Sequence, residues 1–251
     1  MTETPHIPAA QSKPMATLVS RPVKTRTDDI YFVGISIAML ITIVAGFSQT
    51  YFFKGMFFAP LPSLLIHIHG AFFSSWIILF VVQTLLVANR NIRLHRKLGY
   101  AGAVLAACMV ILGVTATVWS VSVGHTPSIF TPPMFLALNV LGVGYFGGLV
   151  AWAVAKRNHP AIHKRLMLLA TFNLLPPATT RLFVFIMHKP ALNAPVLIAF
   201  TLSLIVFDLV TRRKPYAATV IGSIMVLSTF PLATALGHVP LLQRVAASLQ
   251  H

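Results

Sequence analysis

Acidic residues are scarce in this chain: aspartate and glutamate together account for 4 of its 251 residues. Charged residues of both signs make up 9%, whereas a soluble domain usually has about 25%. With 57% hydrophobic residues and a mean hydropathy of +0.82, this shortage excludes an ordinary soluble domain and predicts a polytopic membrane protein. The net charge of +15 is spread over short loops, which favours a lipid bilayer as the partner and argues against nucleic acid.

Cysteine is nearly absent, because Cys108 is the only one and it lies inside an apolar run. A single cysteine permits no internal disulfide and no cysteine-based metal site. The sequence also lacks a glycine-rich phosphate loop and an H-E-x-x-H motif. No nucleophile, base and acid occur in a recognisable set, so the sequence leaves open whether the protein is an enzyme.

Seven apolar segments are long enough to cross a bilayer, for which a helix needs about 20 residues. The sequence therefore predicts an all-α fold, a bundle of seven transmembrane helices within residues 30–240. The polar tail, 1–29, is expected to be disordered because it lacks hydrophobic periodicity, and 241–251 is expected to be a short external segment. The predicted spans are 31–53, 62–88, 98–121, 133–155, 165–187, 193–211 and 216–237.

Basic residues alternate between the two sides of the predicted bundle. Fifteen lie in the tail and in the loops after the second, fourth and sixth spans, against three in the other loops and the C-terminal segment. Positively charged loops stay in the cytoplasm. The sequence therefore predicts a cytoplasmic N-terminus and a C-terminus on the opposite, periplasmic side.

Polar residues recur in the outer halves of the second and fifth predicted spans. At 1.5 Å per residue, His69 and Arg181 both fall roughly 10 Å below the outer edge. Pro176 and Pro177 precede Arg181 and predict a kink, because each removes a backbone donor. The sequence thus predicts an outward-facing pocket for a small anionic or lipid-like ligand, and its candidate residues are His67, His69, Gln83, Asn173 and Arg181.

The two outer histidines are predicted to have different roles. They lie about 200° apart around a helix, so a regular helix cannot direct both to one ion, and no metal site is predicted. His69 lies on an aromatic face with Gln83 farther along, and we expect it to face the interior and meet Arg181. His67 shares a small-residue face with Gly70 and is expected at a helix contact. The alternative is that both histidines only pack and that Arg181 extends to the outer headgroups.

A second histidine pair lies at the cytoplasmic ends of the third and fifth spans. His95 and His163 occupy equivalent places in two similar four-residue sequences, HRKL and HKRL. One interpretation makes them the two axial ligands of a haem, with Arg96 or Arg165 at the propionates. The alternative makes them interface residues that meet anionic lipid headgroups.

Two further patterns predict packing alone. Asp208 is the only acid within a predicted span and is expected to pair with Arg212 one turn later. Small residues recur at helical spacing in the third and fourth spans and predict close helix contacts. They are Gly99, Ala103, Ala106 and Gly113 in the third span, and Gly144, Gly148, Ala151 and Ala155 in the fourth.

The order of the polar motifs resembles a group of uncharacterised bacterial seven-helix inner-membrane proteins. The motifs are H-x-H-G (67–70), H-R-x-L-G (95–99), H-K-R-L-M (163–167), L-P-P-A-x-x-R-L (175–182) and a final F-D (207–208). The resemblance covers about residues 31–215 and implies a bacterial inner-membrane location, but no activity. The two histidine layers are more loosely similar to those of two-haem transmembrane cytochromes b, and this similarity implies a haem b.

Three functions are compatible with these features. A structural or accessory membrane protein needs only the packing faces. A protein that binds a small anionic or lipid-like molecule would use the outward pocket. A haem-binding or quinone-linked redox protein would use His95 and His163.

Overall fold

The computed structural model describes residues 26–53 and 63–250, which contain seven helical spans long and apolar enough to cross a membrane. The predicted all-α bundle of seven helices is confirmed, and its composition indicates an integral membrane protein. The first four spans are α1 (Arg26–Phe47, extended by a π-helical segment, Ser48–Phe52), α2 (Leu64–Ala88), α3 (Ile92–Ser122) and α4 (Pro132–Ala155). The fifth combines α5 (Pro160–Phe172), α6 (Pro176–Thr180) and a π-helical segment, Arg181–Ile186. The helices α7 (Asn193–Arg212), α8 (Ala217–Gly237) and the short α9 (Pro240–Ser248) complete the described chain.

The helix boundaries differ from the prediction at both ends of the bundle. Residues 26–29, which the sequence predicts as part of a disordered tail, form the first turn of α1; the rest of that tail lies outside the described residues. Asp28 and Asp29 stand in this turn, where carboxylates interact favourably with the positive end of the helix dipole. The predicted C-terminal segment contains α9, whose nine residues were too few to register as an apolar span.

The fourth span is the centre of the bundle, because α3, α5, α8 and α9 all pack against α4. Phe146, Leu149 and Ala153 of α4 are fully buried. Around this centre, α2 packs on α1 and α3, and α7 packs on α5 and α8. We call the side on which α1, α3 and α5 begin the basic side.

The fifth span is the most buried of the seven and also the least hydrophobic. These two properties belong together, since a helix covered by protein does not need an apolar surface toward lipid. Elsewhere the outer surface is apolar: Val104, Ile111 and Val210 expose 66%, 67% and 78% of their area. Such exposure is what a bilayer requires of a transmembrane surface.

The two prolines of the fifth span break its helix, as predicted. In a regular helix, residue 176 would donate its N–H to the carbonyl oxygen of Phe172, but Pro176 has no N–H. Leu175 donates to this carbonyl instead, at 3.0 Å, in a tighter turn. Pro176 then starts α6, at a position where proline costs no hydrogen bond. The break therefore does not leave this carbonyl unpaired in the membrane interior.

The predicted small-residue stripes pack against a neighbouring helix in α3 but not in α4. In α3 the prediction is confirmed at Gly113, where an added Cβ would come within 2.6 Å of the Val143 side chain. In α4 the prediction is wrong, because Gly144, Gly148, Ala151 and Ala155 are exposed on the outer surface. The contacts of α4 with its neighbours use its other faces, among them Gly147, where a Cβ would meet Val110 at 2.8 Å.

Candidate functional site

The inner histidines come together on the basic side of the bundle. Their imidazole ring centres are 6.4 Å apart and the ring planes are nearly perpendicular, at 86°. His95 lies in the first turn of α3 and His163 in the first turn of α5. Both helices pack on α4 but not closely on each other, so the rings meet across the space between them.

The His163 ring is held in one orientation by the neighbouring helix. Its Nδ1 lies 2.8 Å from the carbonyl oxygen of Ala153 near the end of α4. A carbonyl only accepts hydrogen bonds, so Nδ1 is the donor, and in the neutral imidazole Nε2 keeps its lone pair. The ring is therefore prepared to act as an acceptor or a metal ligand through Nε2.

Three consecutive residues tie the start of α5 to its surroundings. His163 bonds to α4, Lys164 bonds to Asp28 of α1 at 2.6 Å, and Arg165 bonds to Asp208 of α7. Lys164 also lies over the ring of Phe32, 4.6 Å from its centre. Residues 163–165 thus connect this end of α5 to three different helices.

The predicted pairing of Asp208 with Arg212 is wrong. Asp208 accepts hydrogen bonds from the Nε and Nη2 of Arg165, from the Thr219 hydroxyl at 2.7 Å and from the Tyr216 N–H at 3.2 Å. Arg212 is exposed and stacks on the Tyr216 ring instead. The physical reason is that the Asp208 side chain points into the bundle, where its carboxylate meets the guanidinium of Arg165 at the same depth. The predicted propionate role of Arg165 is therefore excluded as well, because its guanidinium is buried and engaged.

Gln83 belongs to the inner layer, so its predicted place in the outer pocket is wrong. Its Nε2 donates to the backbone carbonyl of His95 at 3.2 Å. It lies 14 residues beyond His69, which is about 21 Å along a helix. A shared helix face does not mean a shared depth, and Gln83 consequently supports the turn that carries His95. Its Oε1 is buried without a hydrogen-bond partner.

The two outer histidines have different neighbours. The His69 ring stacks on Phe73 with ring centres 4.2 Å apart and approaches the backbone of Leu112, while its buried Nδ1 has no partner. His67 lies beside Tyr51, whose hydroxyl donates to the His67 backbone carbonyl at 3.1 Å. Because Tyr51 also covers Gly70, the small-residue face is a contact with the end of the first span.

Arg181 and Asn173 have different hydrogen-bond partners and do not bond to each other. Arg181 donates from Nη1 to the Pro177 carbonyl at 3.0 Å and lies over the Phe47 ring. Asn173 donates to the carbonyl of Gly142 at 2.5 Å and accepts from the Thr229 hydroxyl at 3.1 Å. Asn173 is thus a buried link between the broken fifth span, α4 and α8. A pocket formed by His67, His69 and Arg181 stays a prediction.

The donor set on the basic side limits what it can bind. Among residues 26–53 and 63–250, no three or more histidine, cysteine, aspartate or glutamate side chains form a group able to hold a metal ion. Free metal ions in proteins usually need three or four protein ligands. Two histidines suffice where the ligand supplies the remaining donors itself, as a porphyrin does.

Comparison with known proteins adds no assignment: no protein-family model, curated protein or solved structure matches the chain.

Sequence reasoning missed three partners of the inner site. The Ala153 carbonyl carries no side-chain signal, so its bond to His163 is visible only in three dimensions. The contact of Asp28 with Lys164 joins residues 136 positions apart. Thr219 donates a hydrogen bond to Asp208, but a threonine near the end of a span has no sequence pattern that identifies such a partner.

Proposed function

We propose that this integral membrane protein binds one haem b between His95 and His163 and transfers electrons at the cytoplasmic side of a bacterial inner membrane. The observation that supports this function best is the 6.4 Å separation of the two ring centres. Two metal–nitrogen bonds of about 2 Å, with roughly 1 Å from each nitrogen to its ring centre, give about 6 Å. The distance between the ring centres therefore matches that expected for two axial ligands and supports the proposal.

The hydrogen bond from His163 to Ala153 supports the same function. Histidines that ligate metals usually donate their other ring N–H to a carboxylate or a backbone carbonyl, which orients the ring and raises the basicity of the ligating nitrogen. His163 has this arrangement, with Nε2 directed away from its anchor. Gln83 holds the backbone of the turn that carries His95 by donating to the His95 carbonyl.

The chemistry of the site follows from its ligands and charges. When bound, haem iron takes up and releases one electron at a potential tuned by its axial ligands and their surroundings. The Ala153 carbonyl orients the His163 imidazole, and the exposed Arg96 beside His95 is suited to a propionate. The cytoplasmic placement rests on the excess of basic residues on this side, under the rule that positive loops stay inside.

An absorption spectrum tests the proposal. The full chain is purified in detergent from cells supplied with a haem precursor, and the purified protein is titrated with hemin. We expect a Soret band, sharpened bands after reduction with dithionite, and saturation at one haem per chain. His95→Ala and His163→Ala should each abolish six-coordinate spectra.

A nearby histidine provides the control. His159 is exposed four residues before His163, and His159→Ala should leave the spectrum unchanged. A colourless wild-type protein that also ignores hemin would overturn the haem proposal. The structural or accessory role and the binding of a small anionic or lipid-like molecule, both predicted from the sequence, would then remain.

A further inference from the structure

The short helix α9 starts where the seventh span reaches the membrane surface. Only His238 and Val239 separate the end of α8 from Pro240. Gly237 lies tightly against the start of α4, since a Cβ at this position would be 3.0 Å from the Cβ of Met134. The helix α9 packs against both α4 and α8, so it cannot extend freely into water.

Three faces of α9 meet three environments. Leu242, Ala246 and Leu249 recur at helical spacing and face the bundle, with Ala246 only 1% exposed. A second face carries Leu241 and Val245, which are 70% and 41% exposed. Gln243 is exposed on the opposite face, about 160° around the helix from both Leu241 and Val245. Arg244 is exposed at the edge of the apolar face, about 60° from Leu241.

We propose that α9 lies in the plane of the bilayer interface, with Leu241 and Val245 inserted among the acyl chains of a phospholipid leaflet and Gln243 on the aqueous face. An amphipathic helix binds an interface in this orientation, with its apolar face at the boundary between headgroups and acyl chains. The exposed Val239 continues the apolar surface toward the end of α8. Two exposed apolar side chains in one turn are also too few for the area that a specific protein–protein interface buries.

This interfacial helix is independent of haem binding and of which side of the membrane is cytoplasmic. It holds the start of α4 and the end of α8 together while α9 stays at the lipid surface. Its partner is the phospholipid leaflet itself, and no other protein is required.

Site-directed spin labelling tests the proposal in the full chain. Cys108, the single cysteine, is replaced by alanine, and a nitroxide is attached in turn to Leu241→Cys, Val245→Cys and Gln243→Cys. The proteins are placed in nanodiscs of phosphatidylethanolamine and phosphatidylglycerol. Collision rates are measured with oxygen, which concentrates in lipid, and with a water-soluble nickel chelate.

We expect the ratio of oxygen to nickel collisions to be several-fold higher at 241 and 245 than at 243. Equal ratios at all three positions would overturn the interfacial placement, as would a high ratio at 243 alone. Each labelled protein is first checked for an unchanged melting temperature, so that an unfolded variant is not mistaken for an aqueous helix. A label at exposed Ile111 in the middle of α3 gives the value for full lipid exposure.

Discussion

The guanidinium of Arg165 and the carboxylate of Asp208 form an ion pair that is almost wholly withdrawn from solvent, with side-chain exposures of 2% and 0%. Each charge has further partners: Arg165 donates from Nη1 to the Ala161 carbonyl, and Asp208 accepts from Thr219 and Tyr216. A buried pair offsets its desolvation only with such additional hydrogen bonds. Here they join α5 to α7 and α8 two residues from His163, so the pair braces the inner site.

Removing one member of this pair should destabilise the bundle strongly. Asp208→Asn or Arg165→Gln leaves the other charge buried without compensation, which costs about 3–5 kcal/mol. Thermal unfolding in detergent, followed by circular dichroism, measures the loss. Arg212→Gln is the matched control: Arg212 is exposed, and its replacement should change stability by less than about 1 kcal/mol. Equal losses for Arg165 and Arg212 would contradict the assigned pairing.

Two glycines should respond oppositely to the same substitution. Gly113→Ala brings a methyl group within 2.6 Å of Val143, whereas no atom lies within 4 Å of the equivalent position at Gly148. Overpacking costs about 1–3 kcal/mol, so Gly113→Ala should lower the melting temperature. Gly148→Ala should leave it unchanged or raise it, because alanine favours the helix by roughly 0.5–1 kcal/mol. The prediction fails if Gly148→Ala is the more harmful variant.

Asn173 should contribute to stability through both ends of its amide. Asn173→Leu removes the bonds to Gly142 and Thr229 and should cost about 1–3 kcal/mol for the buried groups left unpaired. Asn89, which is exposed and bonds within its own helix, should tolerate Asn89→Leu within about 0.5 kcal/mol. A double-mutant cycle with Thr229→Val should show coupling of at least about 0.5 kcal/mol. Strict additivity would argue against the amide–hydroxyl bond.

The orientation of the chain can be measured directly. Reporter domains fused after residue 126, between α3 and α4, and after residue 159, between α4 and α5, should report opposite compartments, because α4 crosses the membrane once between them. The excess of basic residues predicts that residue 126 is periplasmic and residue 159 cytoplasmic. A reversed pair would keep seven spans but invert the protein, and identical reports would contradict the span count.

Hydropathy and charge are local properties, and what they determine is local. The sequence by itself determined the seven apolar spans, the break at Pro176 and Pro177, and the common depth of His95 and His163, because span length and helix rise need no knowledge of neighbours. It also determined which loops share a side of the bundle.

Only the tertiary structure decided which helices are neighbours and which face of each one turns inward. Asp208 could reach Arg212 along its own helix, but burial directs it to Arg165 on another. Gly113 packs tightly while Gly148 faces outward, although both belong to similar stripes. Gln83 and His69 share a face but not a depth, and a backbone carbonyl of α4 orients His163. Each of these outcomes depends on how helices far apart in the sequence are arranged around α4, and the pattern of a single helix does not encode that arrangement.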